Sequence, residues 1–253
     1  MANSPIDPQF FESFDGTRLA WREVGTGRPV VMIHGYFSDA TINWIKYGHA
    51  AKVAAAGFRV IMPDLRAHGS SAKPHDAAAY PLDVLMRDGF ALIEHLDLTD
   101  YDLVGYSLGG RTAVRMLANG ATPRRAVLSG MGYQGITATE GRGGYFRNVL
   151  THLGSFPRGS SEWMTEAFLK TTGGDPVALL HILETFVDTP HDVLAGIETP
   201  TLVVNGADDD DNGSGEELAA VLRDARFQAV PGNHMSAVLK PELGDAIVAF
   251  VTG

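Results

Sequence analysis

Residues 101–120 read YDLVGYSLGGRTAVRMLANG, and the fold follows from how this stretch is parsed. Residues 101–106 form a short apolar run of the kind that predicts a buried central strand. From Leu108 onward apolar residues recur at helical spacing until Asn119-Gly120, a stop signal, which predicts a helix over residues 108–118. No connector separates the two, so the strand must turn directly into the helix at Ser107. Gly105 and Gly109 flank that serine in the pattern G-x-S-x-G. A turn this tight holds its central residue at strained backbone angles, and the residues two positions away must lack side chains to avoid collision. Such a turn projects the Ser107 hydroxyl off the end of the strand. The string alone carries little weight in a chain with 29 glycines among 253 residues, since a glycine-rich turn that only packs a helix on its strand looks the same. Its place at a strand-to-helix junction gives it meaning.

Working outward, the same rhythm continues on both sides. Residues 10–14 and 18–24 flank Asp15-Gly16, a hairpin signal, and predict two edge strands. Residues 30–33 and 59–62 read as buried strands, with a helix predicted over 41–56 and closed by Gly57, and another over 81–96. Residues 125–128 give the next strand. Strands then resume near 201–204 and 227–230, with helices near 216–223 and from about Ser236. Between them, residues 131–195 offer helical patterns with glycine-rich joints and no strand; Asp175-Pro176 is a helix start, with Asp as N-cap and Pro at the first position. The expected fold class is α/β: a mostly parallel eight-stranded sheet flanked by helices, with a core of residues 1–130 and 196–253 and an inserted helical cap over 131–195.

Composition narrows the function. A formal charge of −10 disfavours nucleic acid, whose binding rests on Lys and Arg neutralising phosphates. The absence of cysteine removes disulfides, thiolate zinc sites and a cysteine nucleophile, and fits a reducing cytoplasm. No secretory leader is seen at residues 1–8 and no stretch has the length of a membrane span, so neither membrane nor nucleic acid is expected as a partner.

A serine hydroxyl is a weak nucleophile at neutral pH and needs a base to take its proton. Of nine histidines, His234 stands apart, because it follows the last predicted strand in the loop Pro231-Gly232-Asn233-His234 at the same sheet end as Ser107. His95 and His181 fit helix faces, and His49, His75, His152 and His191 fit local packing or solvent. The base in turn needs an acid to fix its tautomer. The loop after Val204 offers Asp208, Asp209, Asp210 and Asp211, any of which could reach across. That run also matches the first half of a calcium loop at Asp208, Asp210, Asn212 and Gly213, but the twelfth position is Ala219 instead of Glu and a strand precedes it, so no metal site is expected. Negative charge built on a carbonyl oxygen needs preorganised donors, for which the backbone N–H groups of Leu108 and Tyr36 are candidates, the latter in His34-Gly35-Tyr36-Phe37 after a strand.

With Ser107, then an acid, then His234, and His34-Gly35 upstream, the chain resembles the α/β-hydrolase superfamily over nearly its whole length. Residues 63–71, PDLRAHGSS, look like that family's loop after the fourth strand, with Ala67 where glycine is commoner. The resemblance implies Asp209 as the acid, with Asp208 and Asp210 as alternatives, and a lid over the cleft. Phe37, Tyr106, Arg111, Tyr133, Phe146 and Trp163 are the candidate substrate contacts. It also implies a lid-bearing carboxylesterase that acts on a small-molecule ester through an acyl-enzyme and needs no cofactor. Three rivals remain. Arg111 after the GYSLGG string resembles the menaquinone-pathway synthase that eliminates pyruvate from a cyclohexene carboxylate; a carbon–carbon bond hydrolase uses the same fold; and some relatives bind ligands without turnover.

Overall fold

A computed structural model describes residues 6–253. Eight strands form one sheet in the order β1-β2-β4-β3-β5-β6-β7-β8: β1 (Gln9–Glu12), β2 (Arg18–Val24), β3 (Arg28–Ile33), β4 (Phe58–Pro63), β5 (Asp102–Tyr106), β6 (Ala126–Ser129), β7 (Thr201–Gly206) and β8 (Ala225–Val230). The β1–β2 and β2–β4 pairs are antiparallel and every other pair is parallel. Parallel strands must be buried on both faces, and β3 shows how: Val30 and Met32 enter one core, Val31 and Ile33 the other.

Helices α1 (His49–Ala55) and α11 (Pro241–Thr252) cover one face; α2 (Val84–His95) and α3 (Leu108–Ala118) cover the other. Five helices lie between β6 and β7: α4 (Tyr133–Thr137), α5 (Glu140–Thr151), α6 (Ser161–Thr172), α7 (Pro176–Leu183) and α8 (His191–Ala195). The outer two, α4 and α8, pack on α3 and on α9 (Gly215–Val221), whereas α5 packs on α6 and α7. Asp175 caps α7 by accepting from the Val177 and Ala178 N–H groups, with Pro176 at the first position.

Two expected helices come out differently. The helix expected over 41–56 is broken into a π-turn (Thr41–Ile45) and α1, because Gly48 sits at φ +81°, outside helical space. The helix expected from Ser236 is a single turn, α10 (His234–Ala237), which begins at His234 itself; Pro241 then starts α11.

The loop after β4 ties the sheet's upper edge together. Asp64 accepts from Arg22 Nη1 (2.7 Å), the Ala40 N–H (2.9 Å) and the Ser70 N–H (2.8 Å). Ala67 takes φ +69°, a left-handed conformation that glycine adopts at less cost. His68 is fully buried, donates Nδ1–H to the Arg66 carbonyl (2.9 Å) and lies 5.2 Å from the His34 ring. Burial, with the positive charge that His34 would carry, pushes its pKa down to about 3 from 6.5. The unfolded chain therefore takes up a proton near pH 6.5 that the folded chain refuses until about pH 3. Stability from this group is constant above pH 6.5 and falls as pH drops through that window. His68→Asn keeps a donor near the Nδ1 position, so urea unfolding measured from pH 7 to 4 should show a shallower acid loss in the variant. Parallel curves would show that His68 contributes none of the slope.

Candidate active site

The C-terminal ends of β3, β5, β7 and β8 converge on one cleft. Ser107 stands where β5 passes into α3 with φ +54° and ψ −115°, angles that cost a non-glycine residue about 1–3 kcal/mol and persist only where surrounding structure enforces them. Two bonds hold it: Ser107 N–H donates to the Ser129 carbonyl (2.8 Å), and the Arg111 N–H to the Ser107 carbonyl (3.0 Å). The flanking glycines are obligatory. A Cβ at Gly105 would lie 2.2 Å from the Gly109 carbonyl oxygen, and one at Gly109 would lie 2.1 Å from the Ile33 carbonyl oxygen.

His234 arrives from the other end of the chain. Asn233 and Ser236 form a reciprocal capping box that starts α10, and Tyr106 Oη donates to the His234 carbonyl at 2.6 Å. The imidazole Nε2 then stands 3.0 Å from Ser107 Oγ, and Nδ1 stands 3.0 and 3.2 Å from the two Asp209 oxygens. The partners fix the tautomer: Nδ1–H donates to the carboxylate, leaving Nε2 to accept from the serine hydroxyl. Asp209 is placed by backbone bonds that tie the loops after β7 and β8 together, Asp208 N–H to Gly232 (3.0 Å) and Ala207 N–H to Val230 (2.7 Å), plus its own N–H to Gly206 (3.0 Å). Its side chain is 1% exposed.

The neighbouring acids point elsewhere. Asp208 and Asp210 border the cleft, and Asp211 pairs with Arg142 of α5 at 2.5 Å.

Gly35 brings the segment after β3 against the serine: a Cβ there would lie 3.3 Å from Ser107 Cβ. Tyr36 follows, and Leu108 opens α3. Among the described residues neither the Tyr36 nor the Leu108 N–H has a hydrogen-bond partner. Two free backbone donors thus flank Ser107, one at a helix N-terminus, where negative charge is favoured.

Above them opens a cleft of about 730 Å³. Tyr36, Phe37 and Tyr106 border it from the core, and Tyr145, Phe146 and Phe168 from α5 and α6. Tyr106 also serves His234 through its hydroxyl. Three expected contacts fall outside this cleft. Arg111 is buried on the far side of α3, donating Nε–H to the Gly135 carbonyl (3.1 Å) with its guanidinium 4.4 Å from the Phe186 ring, and burial lowers its pKa to about 10. Tyr133 meets His191 at 3.2 Å. Trp163 stands 37% exposed on α6, one position off the Met164, Thr165 and Phe168 face that borders the cleft. Sequence reading missed Arg142, which borders the cleft and whose guanidinium lies 4.9 Å from the Phe146 ring; helical spacing from Tyr145 and Phe146 was the available signal.

A family model described as alpha/beta hydrolase fold matches residues 28–130. The chain has the α/β-hydrolase fold, and the match to the family model covers most of its first half. A non-heme haloperoxidase of Rhodococcus erythropolis is 26% identical, with 88% of this chain and 91% of that one covered. A thermophilic esterase from Thermogutta terrifontis superposes with a TM-score of 0.78 at 22% identity, covering 97% and 98% of the two chains. The dihydrolipoyllysine-residue acetyltransferase component of the acetoin-cleaving system of Pseudomonas putida is 40% identical over 112 residues, 44% of this chain, and the match spans only 28% of that protein's length.

Proposed function

We propose that the protein is a serine hydrolase that cleaves carboxylic esters through an acyl-enzyme on Ser107. The observation that carries this reading is the unbroken chain Ser107 Oγ, His234 and Asp209, at 3.0 Å per link, on the floor of the cleft. Ser107 Oγ attacks the carbonyl carbon as its proton passes to His234 Nε2. Charge on the former carbonyl oxygen is met by the Tyr36 and Leu108 N–H groups, while Asp209 stabilises the imidazolium. Collapse expels the alcohol, which takes the proton from His234. Water then attacks the acyl group as His234 accepts its proton; collapse returns that proton to Ser107 Oγ and releases the acid. No cofactor enters these steps. The segment α5–α7 acts as a lid whose aromatic side chains hold the acyl or alcohol group.

The lyase alternative asks Arg111 to bind a substrate carboxylate, and its burial behind α3 removes that ligand from the cleft. Esters of p-nitrophenol with acetate and butyrate should be turned over, and a fluorophosphonate should label Ser107. Neither turnover nor labelling would sink the proposal; labelling without ester turnover would keep the nucleophile and discard the substrate class.

A further inference from the structure

Asn43 lies on the π-turn Thr41–Ile45, borders the cleft and is only 4% exposed. Its Oδ1 accepts the Gly35 N–H at 3.1 Å. Because the Gly35 N–H can only donate, this bond fixes which end of the amide is which. Nδ2, carrying two donors, is buried and has no partner among the described residues. A buried unpaired amide is destabilising, so a side chain that keeps one at an active cleft calls for a reason. Location supplies it. Oδ1 would stand 3.7 Å from a Cβ on Gly35, the same point that lies 3.3 Å from Ser107 Cβ, so the amide shares the Gly35 flank with the reacting serine. The free N–H of Tyr36 is carried by the very next residue.

We propose that Asn43 is a positioning residue for the oxyanion site, anchoring the Gly35 N–H so that the Tyr36 N–H on the next residue is aimed at the substrate oxygen. This rests on the serine-hydrolase reading above. An amide suits the task where a carboxylate of the same shape does not. Aspartate would keep the acceptor for Gly35 but replace the donor end with an anion beside the developing oxyanion.

The test separates transition-state from ground-state effects. Asn43→Ala and Asn43→Asp are compared with the wild type for p-nitrophenyl butyrate kinetics, for inhibition by a trifluoromethyl ketone, which adds the serine to form an oxyanion, and for inhibition by the matching methyl ketone, which is read as a ground-state ligand. Both variants should lose roughly 10- to 100-fold in kcat with KM within about twofold, and the trifluoromethyl ketone should weaken by a similar factor while the methyl ketone does not. Equal weakening of both ketones would mark a general disturbance of the cleft and overturn the proposal. So would wild-type kcat in either folded variant, folding being checked by urea midpoint; Asn43→Asp keeps the Gly35 bond and serves where Asn43→Ala unfolds. Should the wild type bind the trifluoromethyl ketone but cleave no ester, the esterase reading fails and the ketone ratio still judges Asn43. Binding of neither ketone overturns both.

Discussion

Ser107→Ala and His234→Ala will each lower kcat for p-nitrophenyl butyrate by roughly ten-thousandfold to a millionfold, and the double variant will be no slower than the worse single one. The expectation follows from the linked hydrogen bonds: His234 Nε2 stands 3.0 Å from Ser107 Oγ, and among the described residues the hydroxyl bonds to no other side chain. Groups that act as one unit are lost as one unit. Asp209→Asn should cost roughly a thousandfold to ten-thousandfold, because an amide facing Nδ1 favours the tautomer that places the proton on Nε2, where the serine needs a lone pair. Asp208→Asn and Asp210→Asn, whose side chains do not touch the imidazole, should stay within about threefold. Urea midpoints of the Ser107 and Asp209 variants should remain close to the wild type. Near-normal kcat in Asp209→Asn would give the acid's role to another carboxylate; near-normal kcat in Ser107→Ala would remove the acyl-enzyme altogether.

How much of this site could be read from sequence differs by residue, for physical reasons. The turn at Ser107 was legible because its constraint is local: two glycines at fixed spacing are forced by backbone collisions within five residues. His234 was legible from its place after the last strand. Asp209 was not separable from its neighbours by residue type, because four consecutive carboxylates are chemically alike. What selects it is a pair of loops tied by Asp208 N–H to Gly232, a contact between distant parts of the chain. The cap was harder still. Apolar spacing shows that α6 has a packed side but not which element it faces, so Trp163 looked as suitable as Met164 and Phe168 until the helix was oriented. Arg111 misled for a related reason. Four residues past the serine is about one helical turn, yet the side chain runs along α3 to Gly135 and away from the cleft.

Gly109→Ala is expected to cost at least about 3 kcal/mol or to prevent folding. The added Cβ would lie 2.1 Å from the Ile33 carbonyl oxygen and 2.8 Å from that of His34. Both are backbone atoms at the end of β3, pinned in a strand paired on both sides, so no side chain can rotate out of the way. Relief requires α3 to retreat from the sheet by about 1 Å, and that movement carries Ser107 and the Leu108 N–H with it. A displacement of that size at the reacting atoms can cost about a hundredfold in rate. Any Gly109→Ala protein that does fold should therefore also label slowly with a fluorophosphonate. Gly110→Ala is the control. Its Cβ would approach the Met131 Cβ at 3.3 Å, a contact that relaxes by a few tenths of an ångström, while alanine gains up to about 1 kcal/mol of helix propensity over glycine. The unfolding free energy of Gly110→Ala, from its urea midpoint, should fall within about 1 kcal/mol of the wild type. If Gly109→Ala matched it in midpoint and labelling rate, the close approach of α3 to β3 would not be what holds the serine in its strained turn.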